Sequence, residues 1–249
     1  MRIVVPPSQR MYALDLIHNN HMGIVKCKQR GREVFFWPNM NAEIEQKVRN
    51  CELCAATSNK QPAEPLKYTM LPKHPFAEIA ADIFAFESLN YLVTIDYYSS
   101  FIQTAKINSL RSSSVIEALK QNFSIHGIPN KIRTDCRTQF TSQEFQDFCQ
   151  EYNIQHHMVS PHHQSANGKA EKAVQIVKRL WTKCKDKYMA VLDFKPTPLE
   201  NVKASPAQLL MGRRPRNLLP AVNQLFQPRT INRKEFSKQY YNMKETQKF

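Results

Sequence analysis

No stretch of this 249-residue chain approaches the roughly 18 to 20 consecutive apolar residues that a membrane-spanning helix requires. The amino-terminal run Met1 to Pro7 is too short in apolar length for a secretory signal. The expectation is therefore a soluble, intracellular protein with no membrane partner. Cysteine is sparse, six residues in all, which is too few for a disulfide framework and fits a reducing compartment. Acidic residues are in deficit: 21 Asp and Glu face 35 Lys and Arg, a net charge of +14. An excess of that size favours a polyanionic partner, with nucleic acid first. An anionic membrane surface comes second, and no basic amphipathic segment beside an apolar anchor supports it. Internal repeats and low-complexity tracts are also missing.

The length allows one sizeable core plus a smaller satellite unit. Ser8 is a plausible N-cap for a first helix in which Met11, Leu14 and Ile17 share a face. A second helix is expected over 42–48 with Asn41 as its cap. The polar, proline-bearing stretch Ser58 to Pro65 reads as a linker. Then Ile79–Phe86, Tyr91–Tyr98 and Phe101–Ile107, rich in branched and aromatic residues and joined by short turns, read as an antiparallel meander. A helix follows from a capping box at Ser114 and Glu117 and stops at Gly127. Next come a strand over 131–135, a helix from a second capping box at Thr141 and Glu144, a strand over 155–159 and a long helix over 167–187. That order makes an α/β layer structure with a mixed sheet. The boundaries expected are 1–57 for a small zinc-binding unit, 58–74 for the linker, 75–195 for the core and 196–249 for an extension and tail.

Two histidines, His18 and His21, stand three apart near a helix end, and Cys51 and Cys54 share the same spacing thirty residues later. Two imidazoles and two thiolates are a ligand set for a closed tetrahedral zinc site. Either pair alone is unremarkable. Both within a segment too small to bury much core suggest a metal staple rather than a catalytic ion.

Three carboxylates form the second constellation. Asp82 closes the apolar run Ile79-Ala80-Ala81, Asp135 ends Lys131-Ile132-Arg133-Thr134, and Glu171 lies one turn into the long helix. Two strand ends and a helix can converge on a point, which suits divalent ions acting on a phosphodiester. On that helix Ala173, Val174, Ile176, Val177, Leu180, Trp181 and Cys184 fall on one stripe. Glu171 faces away from it, among Gln175, Lys178 and Thr182, with Lys172, Arg179 and Lys185 at the edges. A solvated amphipathic helix would explain the lysines. A polyanion lying across Lys169, Lys172, Gln175, Lys178 and Arg179 would explain them together with Glu171.

The text His18-Asn19-Asn20-His21, Phe36-Trp37-Pro38-Asn39-Met40, Cys51-Glu52-Leu53-Cys54, Asp135 with Thr138 to Ser142, Ser160-Pro161-His162-His163 and Asn167 to Lys172 resembles the integrases of Gypsy-class long-terminal-repeat retrotransposons, relatives of retroviral integrases. Ser205 to Arg213 resembles the segment that follows the core there, so the likeness runs over roughly 8–220. The resemblance implies an RNase H-like core with a five-stranded mixed sheet, preceded by a small helical zinc-binding domain. It implies zinc on His18, His21, Cys51 and Cys54, and Mg2+ or Mn2+ on the catalytic Asp82, Asp135 and Glu171. It implies DNA as partner, a homo-oligomer, work in the nucleus, and a reaction that trims DNA ends and joins their 3′-hydroxyls to target DNA.

Departures from the pattern are specific. Cys136 and Arg137 stand where the family has Asn-Gly, Ala85 and Gln164 where glycine and proline are common, and Gly31 where alanine is common. A turn built for glycine would strain Arg137 by roughly 1 to 2 kcal/mol. Its guanidinium could also compete with metal. The final stretch, 232–249, is short for the DNA-binding barrel or chromatin-reading module often found there. Two readings follow: an integrase, impaired or intact, or a domesticated or decaying nucleic-acid-binding module without catalysis. A nuclease of the same fold is disfavoured by the zinc unit and the segment after the core.

Overall fold

The structure, a computed structural model, describes residues 2–57, 70–159, 164–200 and 202–246. Most of the expected linker and the Ser160-Pro161-His162-His163 motif lie outside the described residues. The elements run β1 (Ile3–Val4), α1 (Arg10–His18), α2 (Ile24–Val34), β2 (Phe35–Phe36), α3 (Met40–Arg49) and α4 (Glu52–Ala56). Then come β3 (Glu78–Phe86), β4 (Leu89–Asp96), β5 (Ile102–Ile107), α5 (Ser112–His126), β6 (Lys131–Thr134), α6 (Thr138–Thr141), α7 (Gln143–Glu151) and β7 (Gln155–Met158). Last are α8 (Gln164–Lys183), α9 (Lys187–Phe194), α10 (Pro206–Met211) and α11 (Arg233–Thr246). No helix among the described residues is long and apolar enough to cross a membrane.

By contact the chain forms two compact units, Met1–Leu66 with Arg179–Phe249, and Lys67–Lys178. The division falls inside α8, and the segment after it groups with the zinc-type residues.

The second unit holds a five-stranded mixed sheet in the order β5-β4-β3-β6-β7. β3 and β4 pair antiparallel, as do β4 and β5, while β6 runs parallel to β3 and to β7. The meander is as expected. Its hairpin corner is organised by the buried Asp96, which accepts from the backbone N–H groups of Phe76, Tyr98 and Ser99 at 2.9–3.2 Å. Ile79, Ala80 and Ala81 are completely buried, so the central strand is apolar on both faces. The helix ends differ from the expected positions. α5 begins at Ser112, and Ser114 bonds Ser109 instead of capping. The cap of α7 is Ser142, whose Oγ accepts from Phe145 N at 3.2 Å, one residue beyond the expected Thr141. α8 starts before Asn167 and stops at Lys183, because Asp186 caps α9 through the N–H groups of Tyr188 and Met189. Gly127 does end α5, at φ +88°.

The first unit packs α1, α2 and α3 around Leu14, Ile17, Val34, Trp37, Ile44 and Val48, and the extension adds Leu219 to the same core. Met11 is turned out to solvent, so it does not share the buried face with Leu14 and Ile17. α3 starts at Met40, with Asn39 in the left-handed region as its N-cap, not at Asn41. Gly31 lies inside α2, where a Cβ would stand 2.9 Å from Ile44 Cδ1 and 3.2 Å from Ile17 Cδ1. The glycine there answers close helix packing. At the centre of this unit Asp193 on α9 is buried and accepts from Asn20 and, at 2.7 Å, from Asn217, with Arg30 of α2 at 3.6 Å. Arg214 clasps Glu33 with both terminal nitrogens, at 2.5 and 2.7 Å.

Candidate metal centre and acid site

α1 delivers His18 at its last turn, the turn after it delivers His21, and α4 brings Cys51 at its N-cap and Cys54 one turn on. Among the described residues, only these four form a cluster of metal-type ligands. One atom from each lies within 4.8 Å of all the others. A tetrahedral zinc with bonds of about 2.0–2.1 Å to nitrogen and 2.3 Å to sulfur requires N···S edges of roughly 3.6 Å. The observed edges are Cys51 Sγ to His21 Nδ1 at 3.2 Å, Cys54 Sγ to His21 Nδ1 at 3.6 Å and Cys54 Sγ to His18 Nε2 at 3.8 Å. The donor set fits zinc in type, number and spacing. Burial, then the neighbouring His21, lowers the His18 imidazole to about 4, and burial likewise lowers His21, so both rings are neutral and able to ligate near pH 7. Two surroundings escaped the sequence reading. Cys27 Sγ sits 3.8 Å from the other ring nitrogen of His18, and Lys183 Nζ stands 3.7 Å from Cys54 Sγ and 3.4 Å from the His21 carbonyl oxygen.

The acid site grows out of sheet register. Glu78 pairs with Lys131, Ile79 with Ile132 and Ala80 with Arg133 on the parallel strands β3 and β6. Carrying that register two residues onward sets Asp82 opposite Asp135, both on the face of Ala80 and Arg133. Asp82 is buried, and its Oδ1 accepts from Ile83 N at 2.7 Å. Burial pushes its carboxyl up to about 6; Arg137 opposes this, and Asp135 and Glu171 add to it. Glu171 is exposed on α8. The three acids are not drawn together as tightly as the zinc-type ligands.

Arg137 lies against two of them. Its Nε is 3.1 Å from Asp135 Oδ2, its Nη1 is 3.5 Å from Asp82 Oδ1, and Nη1 also donates to the Ile83 carbonyl oxygen. The expected strain is absent: Arg137 has φ −65° and ψ 151°, ordinary extended backbone that any residue adopts. The chain turns here without a positive φ, so no glycine is needed.

Of the residues read as nucleic-acid contacts, Lys172 and Gln175 are exposed on α8 and Arg179 is half-buried. Lys178 is exposed with its Nζ 5.8 Å from the Phe84 ring centre. Lys169 differs. Its Nζ donates to the Tyr97 carbonyl oxygen at 2.6 Å and lies 5.0 Å from the ring centre, so it is turned onto the sheet. The apolar stripe holds: Ala173, Val177, Leu180 and Trp181 are buried.

Comparison with known proteins gives two family matches, an integrase zinc binding domain over residues 5–60 and an integrase core domain over residues 72–164. An uncharacterized protein of Caenorhabditis elegans is 29% identical over 257 residues, covering 98% of this chain and 20% of its own length. The Pro-Pol polyprotein of simian foamy virus type 3 is 28% identical over 189 residues, 73% of this chain and 16% of the polyprotein. A retrovirus-related Pol polyprotein from the Drosophila melanogaster transposon 297 is 28% identical over 137 residues, 54% of this chain and 13% of its own. The chain thus spans about a fifth or less of the curated relatives it matches. Among solved structures, a chain of the simian T-cell lymphotropic virus intasome superposes with a TM-score of 0.53 at 20% identity, over 88% of this chain and 80% of that one. The fold is the RNase H-like integrase core with an N-terminal zinc-binding region.

Proposed function

From an integrase-type zinc-binding segment and an integrase-type core joined in one chain, we propose that the protein handles DNA ends in the manner of a retroelement integrase, trimming them and joining them to target DNA. The observation that carries the reading is the placing of Asp82, midway along β3, and Asp135, just past the end of β6, each two residues beyond the last β3–β6 pair, with Asp135 and Glu171 both close enough to raise the Asp82 carboxyl. These three side chains are the ones that would hold Mg2+ or Mn2+. Such ions, when bound, would supply an activated water or 3′-hydroxyl and offset charge on the phosphate. The chain's own residues would do the rest. Burial of Asp82 gives its carboxylate strong reason to take a cation, and the exposed Lys172, Gln175 and Lys178 beside Glu171 would bear on the phosphodiester backbone. His18, His21, Cys51 and Cys54 leave no position open on their ion, so zinc there holds the fold. DNA as partner, a homo-oligomeric assembly and a nuclear place of work belong to the same reading.

A second reading, a nucleic-acid-binding module without catalysis, is favoured by one observation, the Arg137 guanidinium lying against Asp82 and Asp135. The two part in a single assay. Purified full chain is incubated with duplex DNA ends and Mg2+ or Mn2+, and end trimming and joining are scored on a denaturing gel. Metal-dependent products support the integrase reading; DNA binding with no product, in the wild type and in the C136N/R137G variant alike, supports the module.

A further inference from the structure

Asp82 and Asp135 already have a cation between them. The Arg137 side chain reaches both carboxylates, at 3.5 and 3.1 Å, and its own N–H donates to Asp135 Oδ1 at 3.2 Å. One residue therefore makes a closed ring with Asp135 and a bridge to Asp82, and the Ile83 carbonyl oxygen fixes the guanidinium from a third side. These two carboxylates are the ones that would help hold a divalent ion in the reading above. Nothing in the backbone forces it, since Arg137 is in relaxed extended conformation. The side chain is 47% exposed, so it has somewhere to go when it leaves.

Resting on the metal reading above, we propose that Arg137 is the resident counterion of the acid site, and that loading a divalent ion there is an exchange in which the guanidinium moves out as the ion moves in. Without a cation, the buried Asp82 and the neighbouring Asp135 would repel each other. Arg137 relieves that repulsion in the metal-free protein. The same contacts then oppose metal entry, because the guanidinium engages one oxygen of each carboxylate that would hold the ion, Asp82 Oδ1 and Asp135 Oδ2. Arg137 thus stabilises the empty site and weakens the loaded one. A residue that was merely structural would act in the same direction in both states.

The test uses the zinc-loaded full chain with Mn2+ as probe, comparing wild type with R137Q and R137K. Mn2+ affinity is read from the electron paramagnetic resonance of the free ion, and thermal midpoints are taken with and without Mn2+. R137Q is expected to bind Mn2+ about tenfold more tightly, the worth of one charge-assisted contact. It should melt below wild type without Mn2+ and no lower than wild type with it. R137K keeps a charge but loses the planar bridge, and should bind several-fold more tightly than wild type, on the order of half the R137Q effect on a logarithmic scale; it carries the test if R137Q does not fold. Equal Mn2+ affinity in wild type and the folded variants overturns the exchange and leaves the metal reading standing. Absence of Mn2+ binding in all three overturns the metal reading and the exchange with it.

Discussion

Asp82 lies midway along β3 and Asp135 just past the end of β6, each two residues beyond the last β3–β6 pair, and Arg137 reaches both. That relationship leads to the first prediction. Replacing Cys136 and Arg137 by Asn and Gly should raise metal-dependent DNA joining by about tenfold or more, the scale of one charge-assisted contact removed from the site. Glu171→Gln should abolish the products while leaving the circular dichroism unchanged, because Glu171 is exposed on α8 and supports no packing.

The second prediction concerns pH. Burial raises the Asp82 carboxyl from an ordinary 3.8 to about 6, so between these values the folded state holds a proton that the unfolded state has released. Stability from this group is present below about 4 and is lost as pH rises through about 6. Asp82→Asn cannot carry the charge. Its thermal midpoint should exceed that of wild type at pH 8, and the difference should vanish towards pH 4. An equal offset at both ends would show that the effect is not electrostatic.

Zinc removal gives the third. Cys51→Ser removes one of four ligands from a cluster that holds α1 and α4 together, for an apparent loss on the order of several kcal/mol. Hydrogen exchange should show lost protection in α1 to α4, and also in α9 and α10, which share their unit. Protection in β3 to β7 should persist. Deprotection confined to residues 1–57 would contradict the shared core.

Much of this was legible because it is local and periodic. The two ligand pairs are fixed by turn spacing, the meander by runs of branched residues, and the buried face of α8 by its 3.6-residue repeat. Asp135 lies at a strand end as expected, but β3 runs on to Phe86 and leaves Asp82 mid-strand, and the register of the two strands could not be read, since it depends on pairing between residues 53 apart. Helix starts were missed by one to three residues where several Ser and Thr compete for one cap, as at Ser112, Ser114, Thr141 and Ser142. Lys169 is expected among the nucleic-acid contacts, but a long aliphatic stem lets its charge reach back to Tyr97. Asp193 left no signal at all: its partners lie at Asn20, Arg30 and Asn217, and only tertiary folding assembles them.

The fourth prediction separates these lysines. Binding of the full chain to duplex DNA should weaken steeply with salt, and Lys172→Gln should reduce the slope of log K against log salt by about 1. Lys169→Gln should leave the slope unchanged and lower the thermal midpoint instead, since its ammonium is spent on Tyr97. The check is a titration series between low and physiological ionic strength.

Asp193 and Arg214 also set where such a chain tolerates a crossover. A chimera that exchanged only residues 1–57 with a distant relative would bring in new partners at positions 20, 30 and 33 while keeping Asp193, Arg214 and Asn217 from the old parent. A buried arginine or aspartate would then meet a stranger, at a cost of about 3 to 5 kcal/mol for each charge left alone. The head and the segment after α8 are therefore expected to exchange only as one piece, since each holds buried polar partners of the other.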